Sequence, residues 1–150
     1  MRAAIELAIE GVRENRGGPF GAVVVKEGQI VGRGCNRVTS TNDPTAHAEV
    51  VAIRDACQNL GTFLLAGCEI YASCEPCPMC LASIYWARLE KLYFGCTGPD
   101  AAAIGFDDDF IRQQLALAPA ARSIPAQRLL ADEALTAFRA WTAKVDRIAY

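Results

Sequence analysis

The strongest constraint on this chain comes from metal-ligand residues in two short segments. Cys74, Cys77 and Cys80 follow one another at intervals of three residues, and the only histidine of the protein, His47, lies upstream of them. Thiolates of a Cys-x-x-Cys pair and one imidazole nitrogen are donors that tetrahedral Zn²⁺ prefers. The pattern therefore predicts a zinc site.

The candidate ligands lie near two predicted helix starts. Asp43-Pro44, a capping residue followed by proline, is typical of a helix N-terminus and precedes His47. Pro78 begins a second predicted helix, and Cys77 and Cys80 lie on either side of it. Helix N-termini carry partial positive charge and unpaired N–H groups, which stabilise thiolates. We expect the two helix starts to meet at one site.

The number of ligands decides whether such a site is catalytic. Three protein ligands leave a position open for water, whereas four make a closed structural site. We favour His47, Cys77 and Cys80 as the ligands, because Cys74 lies at the end of a predicted strand. The sequence leaves open whether Cys74 is a fourth ligand or a small packing residue. Glu49 supplies a nearby carboxylate that need not bind the metal and that can carry protons for an activated water.

The bulk composition restricts the class of partner. The chain has 150 residues, of which 52% are apolar and 21% charged, and its net charge is −2. These values fit one soluble domain. The charge does not indicate the basic surface that is typical of a nucleic-acid-binding protein, so a neutral small molecule is the expected partner. The seven cysteines are an odd number, which favours a reducing compartment. With no apolar run long enough to span a membrane, we expect a cytoplasmic protein.

Strand and helix patterns alternate along the chain, which predicts a layered α/β domain. An amphipathic helix over Ile5–Val12 is followed by a hairpin, two more strands and a weaker edge strand near the C-terminus. Further helices are predicted over Phe110–Leu117 and from Leu135, where Phe138, Trp141, Val145 and Ile148 recur at helical spacing. The predicted strands are Phe20–Val25, Ile30–Gly34, Cys68–Ala72, Leu92–Gly95 and Ile124–Leu130.

Several segments beyond the metal motif carry a family resemblance. They are Gly17–Val23, Asn36, Asn42–Glu49, Ser73–Cys80, Ile84–Arg88, Gly105–Asp108 and the final Tyr150. With these the chain resembles the cytidine-deaminase-like superfamily of zinc nucleobase deaminases, and within it the bacterial guanine deaminase family. The metal motif specifies only the superfamily. Gly105–Asp108 and the terminal tyrosine narrow the resemblance to guanine deaminases.

The resemblance implies a three-layer α/β/α fold with a central five-stranded mixed sheet. It implies one Zn²⁺ per subunit, with Glu49 as the catalytic proton shuttle. It also implies a homodimer in which the C-terminal segment, about residues 124–150 of a single deaminase domain, is swapped onto the partner's active site. The residues that would line the base pocket are Phe20, Asn36, Ala48, Trp86, Asp108 and, from the partner, Tyr150. Because Asp107 and Asp109 flank Asp108, the choice among the three aspartates stays open.

The implied reaction is the hydrolytic deamination of guanine to xanthine and ammonia in purine catabolism, with no nucleic-acid or membrane partner. Asn36 can donate and accept hydrogen bonds at a purine edge. A carboxylate such as Asp108 can accept from N1–H, which guanine has and adenine lacks. The alternatives are deamination of guanosine, another aminated heterocycle or tRNA adenosine. A more remote one is a non-catalytic zinc-stabilised binding module with Cys74 as fourth ligand.

Overall fold

The computed structural model describes residues 1–149, which form two compact units. The N-terminal unit is Met1–Asp109, and the C-terminal unit begins at Phe110. The helices are α1 (Arg2–Arg13), α2 (Val38–Thr41), α3 (Ala48–Leu60), α4 (Pro78–Trp86), α5 (Gly98–Ala102), α6 (Asp109–Ala116) and α7 (Ala131–Ala143). The strands are β1 (Gly21–Lys26), β2 (Gln29–Cys35), β3 (Cys68–Cys74) and β4 (Lys91–Cys96).

The strands form one mixed sheet in the order β2-β1-β3-β4. Strand β1 is antiparallel to both β2 and β3, and β3 is parallel to β4. The predicted hairpin is confirmed. It turns at Glu27 and Gly28, whose φ angles of 50° and 75° lie in the left-handed region.

The prediction of five strands is wrong, because the described residues contain four. The expected fifth strand, Ile124–Leu130, has no strand conformation. Pro125 lacks the N–H that a sheet ladder requires, which weakens any strand in this segment. Apolar and β-branched content alone was therefore a poor guide here.

Helices cover both faces of the sheet, which confirms the α/β/α layering. Helix α1 packs on one face, where a Cβ added at Gly21 would lie 2.1 Å from the carbonyl oxygen of Ala4. Helix α3 packs on the other, where a Cβ added at Gly34 would lie 2.2 Å from the carbonyl oxygen of Ala48. These glycines let the helices approach the strands at backbone distance. The buried core between the sheet and the α3 face is formed by Ala22, Val24, Ala48, Ala52, Ala56, Leu65, Cys68, Ile70, Ala72, Ile84 and Ala87.

The close approach at Gly34 gives a stability prediction. Gly34→Ala should lower the free energy of unfolding by about 1–3 kcal/mol, because α3 must move away from β2. Since α3 follows His47 directly, zinc affinity should fall as well. Denaturant unfolding and zinc titration measure the two effects. Gly98→Ala is the matched control, since its Cβ would meet nothing closer than the Glu75 carboxylate at 3.7 Å. Equal unfolding free energies for both variants would contradict this packing argument.

Helix α3 begins later than the sequence predicted. Asp43 does not cap it; its Oδ1 instead accepts hydrogen bonds from the backbone N–H and the hydroxyl of Thr45, at 2.8 and 2.7 Å. This local turn delays the helix to Ala48 and makes extended His47 the N-cap. The predicted end is confirmed at Gly61, which is left-handed with φ 62°. The predicted start of α4 at Pro78 is also confirmed.

Smaller differences concern segments expected to be loops or helices. The expected loop after Cys35 contains α2, and the loop after β4 contains α5, whose capping box joins Thr97 and Asp100. Helix α7 ends at Ala143, so Val145 and Ile148 lie beyond it rather than on its face. None of the helices within residues 1–149 is long and apolar enough to cross a membrane.

Candidate active site

The structure brings His47, Cys77 and Cys80 together. The Nδ1 atom of His47 lies 3.6 Å from the Sγ of Cys77 and 3.4 Å from the Sγ of Cys80. All three donor atoms lie within 4.8 Å of one another. In a tetrahedral zinc site with ordinary bond lengths, sulfur and nitrogen donors are separated by about 3.5 Å. The donor set and its spacing therefore fit Zn²⁺.

Two helix N-termini position these donors. His47 is the N-cap of α3, and Cys77 is the N-cap of α4. Cys80 lies one turn into α4 and is buried. The fixed φ of Pro78 at the first helical position sets the direction of α4 immediately after Cys77. Both helix starts thus direct partial positive charge toward the site, which favours thiolates.

The two thiols differ strongly in acidity. A hydrogen bond from Cys80 stabilises the Cys77 thiolate and lowers its pKa to about 4. The pKa of Cys80 is raised, chiefly because it shares a proton with Cys77 and also because it is buried. His47 has a raised pKa because its ring is hydrogen-bonded to Cys77. The lowered pKa of Cys77 favours its thiolate at the position where a cation would bind.

Glu49 lies beside this cluster in the first turn of α3. Its side chain is buried, with only 7% of the residue exposed. Burial raises the pKa of its carboxyl above the usual range, while a hydrogen bond with Cys80 acts in the opposite direction. A carboxyl that holds a proton more readily than normal is suited to general acid–base work.

Cys74 stands apart from the three donors. Its thiol donates to the carbonyl oxygen of Thr97 at 3.5 Å, and burial raises its pKa to about 11. Among the described residues, the group of possible metal ligands contains His47, Cys77 and Cys80 without Cys74. The geometry favours the packing interpretation of Cys74 over a fourth ligand.

Substitution of Cys74 tests this interpretation. We expect Cys74→Ala to keep one zinc per chain, because its sulfur is directed to Thr97. Zinc content by inductively coupled plasma mass spectrometry measures the outcome, with Cys80→Ala as the variant that should lose metal. Loss of zinc in both variants would favour the closed four-ligand site instead.

The predicted pocket residues occupy different positions relative to this cluster. The ring of Phe20 packs edge-on against Phe106, with centroids 4.9 Å apart. Ala48 is buried directly after His47. Trp86 ends α4, is 63% exposed and lies beneath the Arg88 guanidinium at 6.0 Å.

The three neighbouring aspartates are distinguishable by burial. Asp108 is half-buried, whereas Asp107 and Asp109 are exposed. The Oδ1 of Asp107 accepts a hydrogen bond from the backbone N–H of Asp109 at 2.9 Å, which engages it in a turn. Burial therefore separates Asp108 from its two neighbours. Tyr150 lies outside the described residues.

Asn36 is held in a fixed orientation. Its side-chain Oδ1 accepts hydrogen bonds from the backbone N–H groups of Gly18 and Val38, at 3.1 and 3.2 Å. The carbonyl end of this amide is therefore engaged with the backbone, and its NH₂ group is the donor end. Gly17 leaves room for this side chain, since a Cβ there would lie 2.3 Å from Oδ1.

Sequence reasoning did not connect Phe106, Gly17 or Gly18 with the predicted pocket residues Phe20 and Asn36. Phe106 contacts Phe20, and Gly18 also approaches its ring, so a Cβ at Gly18 would lie 3.0 Å from it. All three residues stand inside segments that carried the family resemblance. The signal was present, but nothing in the sequence showed that these segments meet.

Known proteins resemble this chain in the sequence that carries the site. The family model described as "Cytidine and deoxycytidylate deaminase zinc-binding region" matches residues 1–96, which include all three donors and Glu49. The chain belongs to this zinc-dependent deaminase family. It is accordingly a zinc-dependent hydrolytic enzyme. The family's zinc-binding region and the cluster of His47, Cys77 and Cys80 together assign one Zn²⁺ to each chain.

Relatives within the family extend the similarity beyond the metal site. A guanine deaminase of Bacillus subtilis (strain 168) is 50% identical over 141 residues, covering 94% of this chain and 90% of that protein. The X-ray structure of guanine deaminase from Bacillus subtilis matches with a TM-score of 0.96 and 48% identity, covering 99% of this chain and 95% of that one. These matches confirm the resemblance to bacterial guanine deaminases.

A second kind of relative is more distant. A tRNA-specific adenosine deaminase of Agrobacterium fabrum is 42% identical over 102 residues, covering 68% of this chain and 66% of that protein. Zinc nucleobase deaminases of different substrate classes have the same metal motif in common. Substrate choice must therefore depend on residues outside that motif.

Proposed function

We propose that the enzyme deaminates guanine hydrolytically, giving xanthine and ammonia, as a step of purine catabolism. The observation that carries the proposal is the similarity to a Bacillus subtilis guanine deaminase over 99% of the chain, well beyond residue 96 where the general family match ends. The site's chemistry supports the same reaction, since a buried carboxyl adjoins a His/Cys/Cys donor set.

We assign the proton transfers to Glu49. His47, Cys77 and Cys80 would hold the zinc, which would supply the Lewis acidity that makes water nucleophilic near neutral pH. One Glu49 oxygen takes a proton from the water that attacks C2. It delivers this proton to N3, the ring nitrogen next to C2 that carries no hydrogen. Glu49 then moves the second proton to the leaving amine as the C2–N bond breaks. Water is consumed, ammonia leaves and the carboxylate is regenerated.

We assign base recognition to Phe20, Asn36, Ala48, Trp86 and Asp108. The edge-on contact between Phe20 and Phe106 gives an aromatic wall for a flat ring. Because the Asn36 oxygen is held by Gly18 and Val38, its NH₂ would donate to an acceptor on the purine. Asp108 would accept from N1–H of guanine. Adenine has no N1–H and could not make this hydrogen bond, which is a basis for its rejection.

Substitution of Asp108 is therefore expected to affect guanine turnover without affecting zinc binding. Asp108→Ala should reduce kcat/KM for guanine about tenfold to a hundredfold, the value of a hydrogen bond to a charged group. Zinc content should not change. Asp109→Ala is the matched control, because Asp109 is exposed. Equal losses in the two variants would contradict the assignment of Asp108.

An ammonia-release assay tests the proposed reaction. The substrates are guanine, guanosine, adenine, cytosine, cytidine and an anticodon stem-loop RNA containing adenosine, each with and without a chelator. We expect release from guanine alone and its loss after metal removal. Release from the RNA would instead favour the activity named for the Agrobacterium fabrum relative. Release from guanosine would show that the pocket admits ribose.

We also propose a homodimer in which residues of about 124–150 complete the partner's active site, with Tyr150 contacting the base. Within the described part of the C-terminal unit, α6 and α7 contain no buried residue. Phe138 is 71% exposed and Val145 is 98% exposed, so this unit presents apolar surface that a second copy can cover.

Mixed dimers distinguish a swapped from an unswapped arrangement. Glu49→Gln and Tyr150→Ala proteins, each poorly active, are unfolded together and refolded as a mixture. In a swapped heterodimer one site carries both substitutions and the other carries neither, so activity returns. Without a swap every site carries one substitution, and activity stays low. Light scattering after size-exclusion chromatography gives the mass independently.

We infer a cytoplasmic location. All seven cysteines are free thiols within the described residues, which suits a reducing compartment. Fractionation of cells that express the protein without a tag measures this directly.

A further inference from the structure

A cavity lined by arginines lies at the outer edge of the sheet. Strand β2 is one of the two edge strands, and the cavity of about 440 Å³ is formed along it by residues from α1, β2, α2, α3 and the loops between them. Its lining includes Leu7, Arg16, Arg33, Arg37, Ser40 and Val51. None of the zinc-site residues is among its lining.

The cavity concentrates positive charge. Three arginines belong to its lining, and no acidic residue does among the described residues. Arg16 forms an ion pair with Glu14 and also approaches the Cys35 sulfur at 3.9 Å. Asp55 contacts the backbone of Arg33 rather than its guanidinium. The Oδ2 atom of Asp55 accepts a hydrogen bond from the backbone N–H of Arg33 at 2.8 Å. Such a concentration is notable in a chain whose net charge is −2.

The backbone around the arginines is cross-linked by hydrogen bonds. The N–H of Ser40 donates to the carbonyl of Arg16 at 3.3 Å, and the Ser40 hydroxyl donates to the carbonyl of Arg37 at 3.3 Å. The N–H of Arg37 donates to the carbonyl of Ala46 at 2.9 Å. The side chains of Arg16 and Arg37 therefore extend from a backbone that is held by hydrogen bonds. A ligand would not have to order this part of the backbone, which lowers the entropic cost of binding.

We propose that this cavity binds a phosphate monoester, such as a sugar phosphate or a nucleotide. Guanidinium groups match phosphate oxygens with paired hydrogen bonds, and several converging on one cavity favour a multiply charged anion. The cavity exceeds what a free phosphate fills, since one water occupies about 30 Å³. Leu7 and Val51 add apolar surface for the organic part of the ligand.

Isothermal titration calorimetry on the zinc-loaded protein at low ionic strength tests this site. The probes are inorganic phosphate, ribose 5-phosphate and guanosine monophosphate. We expect saturable binding with the two monoesters tighter than phosphate. Equal affinities for all three would overturn the monoester assignment, and no saturable binding would overturn the site altogether.

Arginine variants locate the binding. Arg33→Ala and Arg37→Ala should each weaken ribose 5-phosphate binding about tenfold or more, as loss of a hydrogen bond to a charged group implies. Arg2→Ala is the control, because Arg2 is an exposed arginine of α1 outside the cavity. An equal loss with Arg2→Ala, or none with Arg33→Ala, would overturn the proposal. Arg33→Lys keeps the charge without the paired donors, so an affinity between those of wild type and Arg33→Ala is expected even if the alanine variant is unstable.

Discussion

Replacing Glu49 with glutamine is expected to lower guanine turnover about 10²–10⁴-fold while the protein keeps its zinc, which is the usual contribution of a positioned general acid–base group. The amide has nearly the same shape as the carboxyl but cannot take the water proton. Glu49 is buried beside the metal ligands, so bulk water or another base would substitute for it poorly. The rate of ammonia release and the zinc content measure the two parts of the prediction.

Glu69→Gln is the matched control for Glu49→Gln. Glu69 is a glutamate of β3 that accepts from the Tyr71 hydroxyl and pairs with Lys91 on β4, so its loss should leave turnover close to wild type. Full activity of Glu49→Gln would contradict the shuttle role. Loss of zinc from this variant would instead make Glu49 a metal-holding residue.

Loss of Cys80 is expected to abolish both zinc binding and activity. Cys80 is fully buried, and its Sγ lies 3.4 Å from the Nδ1 of His47. In Cys80→Ala two donors remain, which cannot hold zinc in a tetrahedral protein site. Because bound metal stabilises the folded state by mass action, the thermal midpoint should also fall toward that of chelator-treated wild type. Metal analysis, ammonia release and calorimetry report the three effects.

Cys57→Ala controls for the loss of a thiol as such. Cys57 packs against the hydrophobic core from α3 and lies outside the donor group, so its removal should preserve zinc and turnover. Restoration of activity to Cys80→Ala by excess zinc would indicate that the remaining donors suffice, which would contradict the three-ligand assignment.

Local chemistry explains which elements were predictable from the sequence. The β1–β2 hairpin depends on a glycine turn between two apolar runs, and the start of α4 depends on Pro78. Both are decided within a few residues. The start of α3 was missed because Asp43 has two local options, and its hydrogen bonds to Thr45 were favoured over capping a helix. The fifth strand was wrong because strand pairing depends on a distant partner, which residues 124–130 do not reveal.

The sequence by itself determined the metal chemistry and the class of reaction. One histidine and a Cys-x-x-Cys pair are donors that zinc prefers, since ligand preference is a property of the side chains themselves, and the resemblance to zinc deaminases added proton transfer by Glu49. The tertiary structure decided the rest. It showed that His47 faces the sulfurs through Nδ1, that the Cys74 thiol donates to Thr97 and that the Asn36 oxygen is held by two backbone N–H groups. It also placed Arg16 beside Arg33 and Arg37, from a different segment of the chain, around one cavity. Such outcomes depend on contacts between remote segments, and only the folded chain fixes which groups meet and how they are oriented.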